Sequence, residues 1–135
     1  MNALKRYKFE HPAMFIMVLL EVDTTKLTAE RATEILTFWS GHEQRLKRAG
    51  GDVVIAVVRS FASSLADSML RDGGAEFSSI PESAQIAQHW SVDQRGYEGW
   101  GGEDGTPHGW CGIRVVEAQV APPDEDDYWM NEVTP

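Results

Sequence analysis

Residues 52–74 read DVVIAVVRSFASSLADSMLRDGG, and whether they form a strand or a helix decides the fold. The run VVIAVVRSF contains five β-branched residues and, taken alone, suits a buried strand. The longer window reverses that reading. Val54, Val57, Val58, Phe61, Leu65 and Met69 recur at spacings of three and four, which lays them along one stripe of a helix. Asp52 stands where an N-cap carboxylate can receive the first free backbone N–H groups. Arg71-Asp72-Gly73-Gly74 reads as a helix C-terminus followed by a glycine stop. A long helix with an apolar stripe needs an apolar surface to cover, and the flanking sequence supplies a sheet.

Upstream, KRYKFE (5–10) alternates around Tyr7 and Phe9 as a strand does. His11-Pro12-Ala13 turns the chain, and MFIMVLLEVD (14–23) predicts a second strand whose unbroken apolar run implies burial on both faces. A hairpin is preferred to one bent strand. Thr28 is the N-cap of a first helix, with Leu27 as its staple and Ala32, Ile35, Leu36 and Trp39 facing the core. Ser40-Gly41 ends it, and HEQRLKRAGGD adds a short charged helix around Leu46 and Ala49. Downstream, Pro81 fits the first turn of another helix, with Ile86 and Trp90 one turn apart. IRVVEAQV (113–120) is a strand ended by Pro122-Pro123. The expected fold is α+β over residues 1–122: a small, mainly antiparallel sheet, made of the N-terminal hairpin plus the C-terminal strand, packed against several helices. Residues 123–135 form an acidic-aromatic tail.

The chain of 135 residues is long enough for one domain with a sizeable core. Its net charge of −9 is uneven. Residues 1–50 carry eight basic and six acidic side chains, whereas residues 51–135 carry four and fifteen. A duplex-binding domain carries a basic stripe, so direct nucleic-acid binding is disfavoured. A lone cysteine, Cys111, allows no internal disulfide and suits a reducing compartment. The apolar run after Lys5, Arg6 and Lys8 is followed by Glu21-Val22-Asp23 rather than by small residues for cleavage, and eight apolar residues do not span a bilayer as a helix. Cytoplasmic residence, with no membrane attachment, is the expectation.

Residues 96–112, GYEGWGGEDGTPHGWCG, form a glycine-rich loop with two tryptophans. Together with FWSGHEQRL (38–46) and GGDVVIAVVR (50–59), the stretch EGWGGEDGTPHGWCGIRVV (98–116) resembles a family of short bacterial and prophage proteins, domain of unknown function family 2528. The resemblance runs from Tyr7 to about Val120. This chain departs from the family in the loop, where GGEDGTPHGWCGIRV replaces a shorter Asp-Gly, Gly-Ile-Arg version. The resemblance carries no activity over; it implies a cytoplasmic setting, carriage on mobile elements and an accessory role.

The loop's chemistry is sparse. Glu103, Asp104, His108 and Cys111 include metal-ligating types, but a zinc site wants a second Cys or His pair, so no metal is expected. Cys111 with His108 lacks the oriented environment that activates a thiol, and no catalytic residue is assigned. The glycines match no phosphate-binding motif, the acids do not alternate as in a calcium loop, and no cofactor is expected. His42, Glu43, Arg45, Lys47 and Arg48 make one basic patch, suited either to solvent or to an acidic partner. In the tail, Asp124, Glu125, Asp126 and Asp127 precede Tyr128 and Trp129, the aromatic types that anchor interfaces, and Trp129 either docks a partner or folds back onto the domain.

Three readings follow. The first is a non-enzymatic interaction protein that binds a host or phage protein through this tail, in one form by presenting acid in place of nucleic acid to a defence protein. The second is a ligand-binding domain or enzyme with Trp100, His108 and Trp110 on a pocket rim. The third is a homodimer joined at a sheet edge or through the valine-rich helix. The first is preferred.

Overall fold

A computed structural model describes residues 3–135. Strands β1 (Leu4–Glu10) and β2 (Ile16–Asp23) form the N-terminal hairpin, and helices α1 (Ala29–Leu36), α2 (His42–Arg48) and α3 (Val53–Arg71) follow. Then come β3 (Ala75–Phe77), a 3-10 turn at Pro81–Ser83, α4 (Ala84–Arg95), β4 (Ile113–Val120) and a last 3-10 turn at Glu125–Asp127. The strands lie in the order β1-β2-β4-β3, each pair antiparallel. This is the α+β fold expected from the sequence, with one strand added.

The decisive segment is a helix. Asp52 Oδ1 accepts hydrogen bonds from the Val54 and Ile55 amides at 3.0 and 3.1 Å. At the other end the Gly74 and Gly73 amides donate to the carbonyls of Met69 and Leu70 at 2.7 and 3.1 Å, the paired bonds of a Schellman stop. Val57, Phe61, Leu65 and Met69 are buried against Val18, Leu20 and Val22 of β2 and Ile113, Val115 and Ala118 of β4. Ala32, Ile35 and Leu36 of α1 close the same core, with Thr28 capping its first turn through the Arg31 amide. α3 is long and apolar enough to cross a membrane by length and composition, but its apolar stripe faces this sheet.

Three local expectations need correction. The second strand begins at Ile16, and Phe15 before it is exposed. Its second face is not uniformly buried either: Met17 and Leu19 are half-covered, and only Glu21 is enclosed. Pro81 opens a 3-10 turn that leads into α4, where Ile86 is exposed and the buried face is Trp90, Ser91, Gln94 and Arg95. Trp39 is half-buried rather than a full core residue. The added strand, β3, pairs Ala75–Phe77 with Val120–Ala118. Between β2 and β4 the register slips at Leu19/Leu20, which face Glu117 and Val115 and leave Val116 as the extra residue of a bulge. Val115 and Val116 are consequently both buried, and the freed Val115 amide donates to Ser91 Oγ on α4 at 3.0 Å.

Candidate functional site

The glycine-rich loop is built around Arg95, the last residue of α4, which is 2% exposed. Its Nε and one terminal nitrogen donate to the two carboxylate oxygens of Glu103 at 2.7 and 2.6 Å. The other terminal nitrogen donates to the carbonyls of Pro107 at 3.1 Å and Ile113 at 3.0 Å. One planar fork thereby ties two points in the middle of the loop and its exit into β4 to the end of α4, a task suited to arginine and not to lysine. Two glycines make room for this. Gly109 has φ of +68°, and a Cβ there would lie 2.5 Å from Arg95 Nε; at Gly101, with φ of +82°, it would lie 2.1 Å from the Trp110 ring.

The tip of the loop is tied down separately. Asp104 accepts from the Thr106 amide and hydroxyl and pairs with Lys26, which also donates to Thr106. The Lys26 contact, ahead of the Thr106 hydroxyl, holds the Asp104 carboxyl well below the usual carboxylate range. Trp110 lies under the Arg31 guanidinium, 4.5 Å from the ring centre, and its carbonyl accepts from the same arginine at 2.9 Å.

His108 reaches through to the outer face of the sheet, where its Nε2 is 3.0 Å from Glu21 Oε1. The same carboxylate receives Arg114 at 2.8 and 3.0 Å and Arg6 at 3.0 and 3.1 Å. Burial works to raise the Glu21 pKa, but the bonds from Arg114, His108 and Arg6 outweigh it and hold the carboxyl below its ordinary value. Cys111 has no such help. Burial pushes its thiol up to about 11, so the thiol stays protonated at neutral pH.

The three aromatic residues assigned to a pocket rim are thus dispersed. Trp100 is in the core, with its ring centre 5.0 Å from those of both Phe61 and Trp39. His108 is committed to Glu21, and Trp110 is covered by Arg31. The four metal-ligating types separate as well: Glu103 goes to Arg95, Asp104 to Lys26 and His108 to Glu21, while Cys111 is enclosed. Among the described residues no three such side chains are placed to share an ion. A cleft of about 590 Å³ does lie between this loop, the start of α4 and the sheet, with Arg6, Arg95 and Arg114 on its walls, but all three are paired with Glu21 or Glu103.

The tail is placed differently. Asp124 caps the turn at Glu125–Asp127, and the Asp127 side chain returns the bond to the Asp124 amide at 2.7 Å. Tyr128 is exposed, and Trp129 and Met130 are 94% and 97% exposed. The basic patch on α2 acquires partners that sequence spacing did not reveal. Arg45 and Arg48 face Arg59 and Arg71 of α3 across a second cleft of about 570 Å³, with Trp39 and Trp100 on its inner wall. Arg6 is bound to Glu21 and lines the other cleft.

No curated protein and no solved structure matches the chain. The family described as "Protein of unknown function (DUF2528)" matches residues 17–130. That span runs past Val120, where the sequence resemblance stopped, and includes the acidic turn and the exposed aromatic residues. With most of its length matched, from β2 through Met130, the chain belongs to this family.

Proposed function

We propose that this protein is a non-enzymatic interaction protein, and that the segment Asp124–Met130 is the part that docks. The observation that carries the reading is the exposure of Trp129 and Met130 immediately after four consecutive acids. A chain with a core this extensive has room to bury an indole, and a solvated Trp-Met pair leaves apolar area in water that a partner can cover. Tryptophan is the residue type most often found to anchor interfaces, and flanking carboxylates speed and orient the encounter with a basic rim. The partner surface that fits is an apolar pocket bordered by Lys or Arg. A nucleic-acid-binding defence protein offers such a surface, and carriage on mobile elements in the cytoplasm gives the encounter a setting. The pocket-rim alternative draws less support, because Trp100, His108 and Trp110 are each engaged inside the fold.

The test is capture from bacterial lysate on the immobilised protein at low and moderate salt. The wild type retains a stoichiometric partner and Trp129→Ala loses it, while the melting temperatures of the two agree, since the side chain is almost wholly exposed. Equal recovery by wild type, Trp129→Ala and a chain ending at Pro122 sinks the reading.

A further inference from the structure

The cleft between α2 and α3 is lined by four guanidinium groups, those of Arg45, Arg48, Arg59 and Arg71. Among the described residues none of the four forms an ion pair, although the chain carries 21 acidic side chains against 12 basic ones. Arg6, Lys26, Arg95 and Arg114, by contrast, all hold carboxylates. Asp67 and Glu98 also stand on the cleft wall, yet neither pairs with these arginines. The four make only weak contacts within the fold. Arg45 sits 5.8 Å from the centre of the Trp39 ring, Arg59 reaches the Arg48 carbonyl at 3.5 Å, and Arg71 reaches Ser68 Oγ at 3.2 Å.

An element of opposite charge exists in the same chain, and among the described residues none of its carboxylates forms an ion pair, although Asp124 and Asp127 accept backbone amides within their own turn. Asp124, Glu125, Asp126 and Asp127 set four carboxylates ahead of Tyr128, Trp129 and Met130, whose side chains are all exposed. Arg59 and Arg71 stand twelve helical residues apart, about 18 Å along α3 at the usual rise, and the acids that would face them are gathered in the turn at Glu125–Asp127. Trp129 is exposed and does not line the arginine cleft of its own chain. We propose that the Asp124–Met130 segment of one copy lies in the arginine cleft of a second copy, its carboxylates on the guanidinium groups and Trp129 toward the wall formed by Trp39 and Trp100. The exchange is reciprocal: each copy gives a tail and receives one, which closes a two-fold pair and leaves no free end for further growth. The proposal rests on the docking role assigned to the tail and names what that tail binds.

Sedimentation velocity combined with light scattering tests it. The wild type forms a dimer at low salt, and its Kd rises by about tenfold or more in high salt, as screening requires of an attachment made by charges. The variant Arg59→Glu/Arg71→Glu is a monomer, and so is the variant in which residues 124–127 are all changed to Lys. Combining the lysine set with Glu at all four arginine positions restores the dimer, because the signs match again. None of the eight positions is buried, and circular dichroism confirms that each variant is folded. A wild type that stays monomeric at about 1 mM, a dimer that survives removal of residues 123–135, or a combined variant that stays monomeric overturns the proposal. If the wild type is monomeric while Trp129→Ala still loses a captured protein, self-docking falls and the docking role stands. If Trp129→Ala alters neither assembly nor capture, both fall.

Discussion

Placing the Arg95 guanidinium in the interior strips its water, and three loop segments replace it: the Glu103 carboxylate and the carbonyls of Pro107 and Ile113. The charge is therefore held by acceptors that exist only when the loop is closed. Removing the main one leaves a buried cation with two carbonyls. Glu103 is itself 41% exposed, so Glu103→Ala is expected to cost about 1.5–2 kcal/mol, read as a lower urea midpoint, whereas Glu103→Gln keeps one acceptor and costs less. Equal stability of Glu103→Ala and wild type would show that water replaces the carboxylate without loss. Some residue roles were readable in advance. Thr28 and Asp52 cap helices because a cap and its targets are two or three residues apart. The partner of His108 was not readable, since Glu21 lies 87 positions away and only the sheet brings them together. Arg95 was hidden for the same reason: nothing in its neighbourhood of sequence marks it as buried.

For the elements, legibility followed length and amphipathic contrast. α3 was recognisable because its stripe repeats over five turns, enough to outweigh five β-branched residues at its start. β3 escaped because three residues show no period, and the strand exists only through pairing with the last part of β4. α4 was found but its inward face misjudged, since that face carries Ser91, Gln94 and Arg95 beside Trp90. The polar residues there satisfy the β4 bulge and the loop, which are features of the fold and not of the helix. α3 also permits a direct test. Asp52→Ala removes the acceptor of the Val54 and Ile55 amides and is expected to cost about 1 kcal/mol. The melting temperature falls by about 3–5 °C. An unchanged melting temperature would mean that solvent caps the helix as well as the carboxylate does.

In the whole molecule, ionised carboxylates hold distant parts of the chain together, so stability depends on acid. Glu21 joins β1, β2, β4 and the loop, and Asp104 joins the loop to Lys26. Asp23, bonded to the Thr25 hydroxyl, is also held low. Each has a folded pKa below its unfolded one, from ordinary values of 4.5 for Glu21 and 3.8 for the two aspartates. Their contribution is complete above those unfolded values and is lost as pH falls through the folded ones. The urea midpoint should accordingly hold steady from neutral pH to about 5 and then drop, and Glu21→Gln should lower the plateau and flatten the drop. A midpoint that rises on acidification would contradict the assignment.

The sheet order has a further consequence for how the chain comes to be folded. β4 occupies an interior position between β2 and β3, yet every other strand precedes it in sequence. During synthesis from the N-terminus the hairpin and the first helices emerge with one flank of β2 open, and apolar area on α3 waits uncovered. Closure must bridge roughly a hundred residues of intervening chain, the kind of distant pairing that slows folding. Until Val120 has left the ribosome, the nascent protein has the stickiness of an unfinished sheet, and chaperone dependence would be concentrated in that interval.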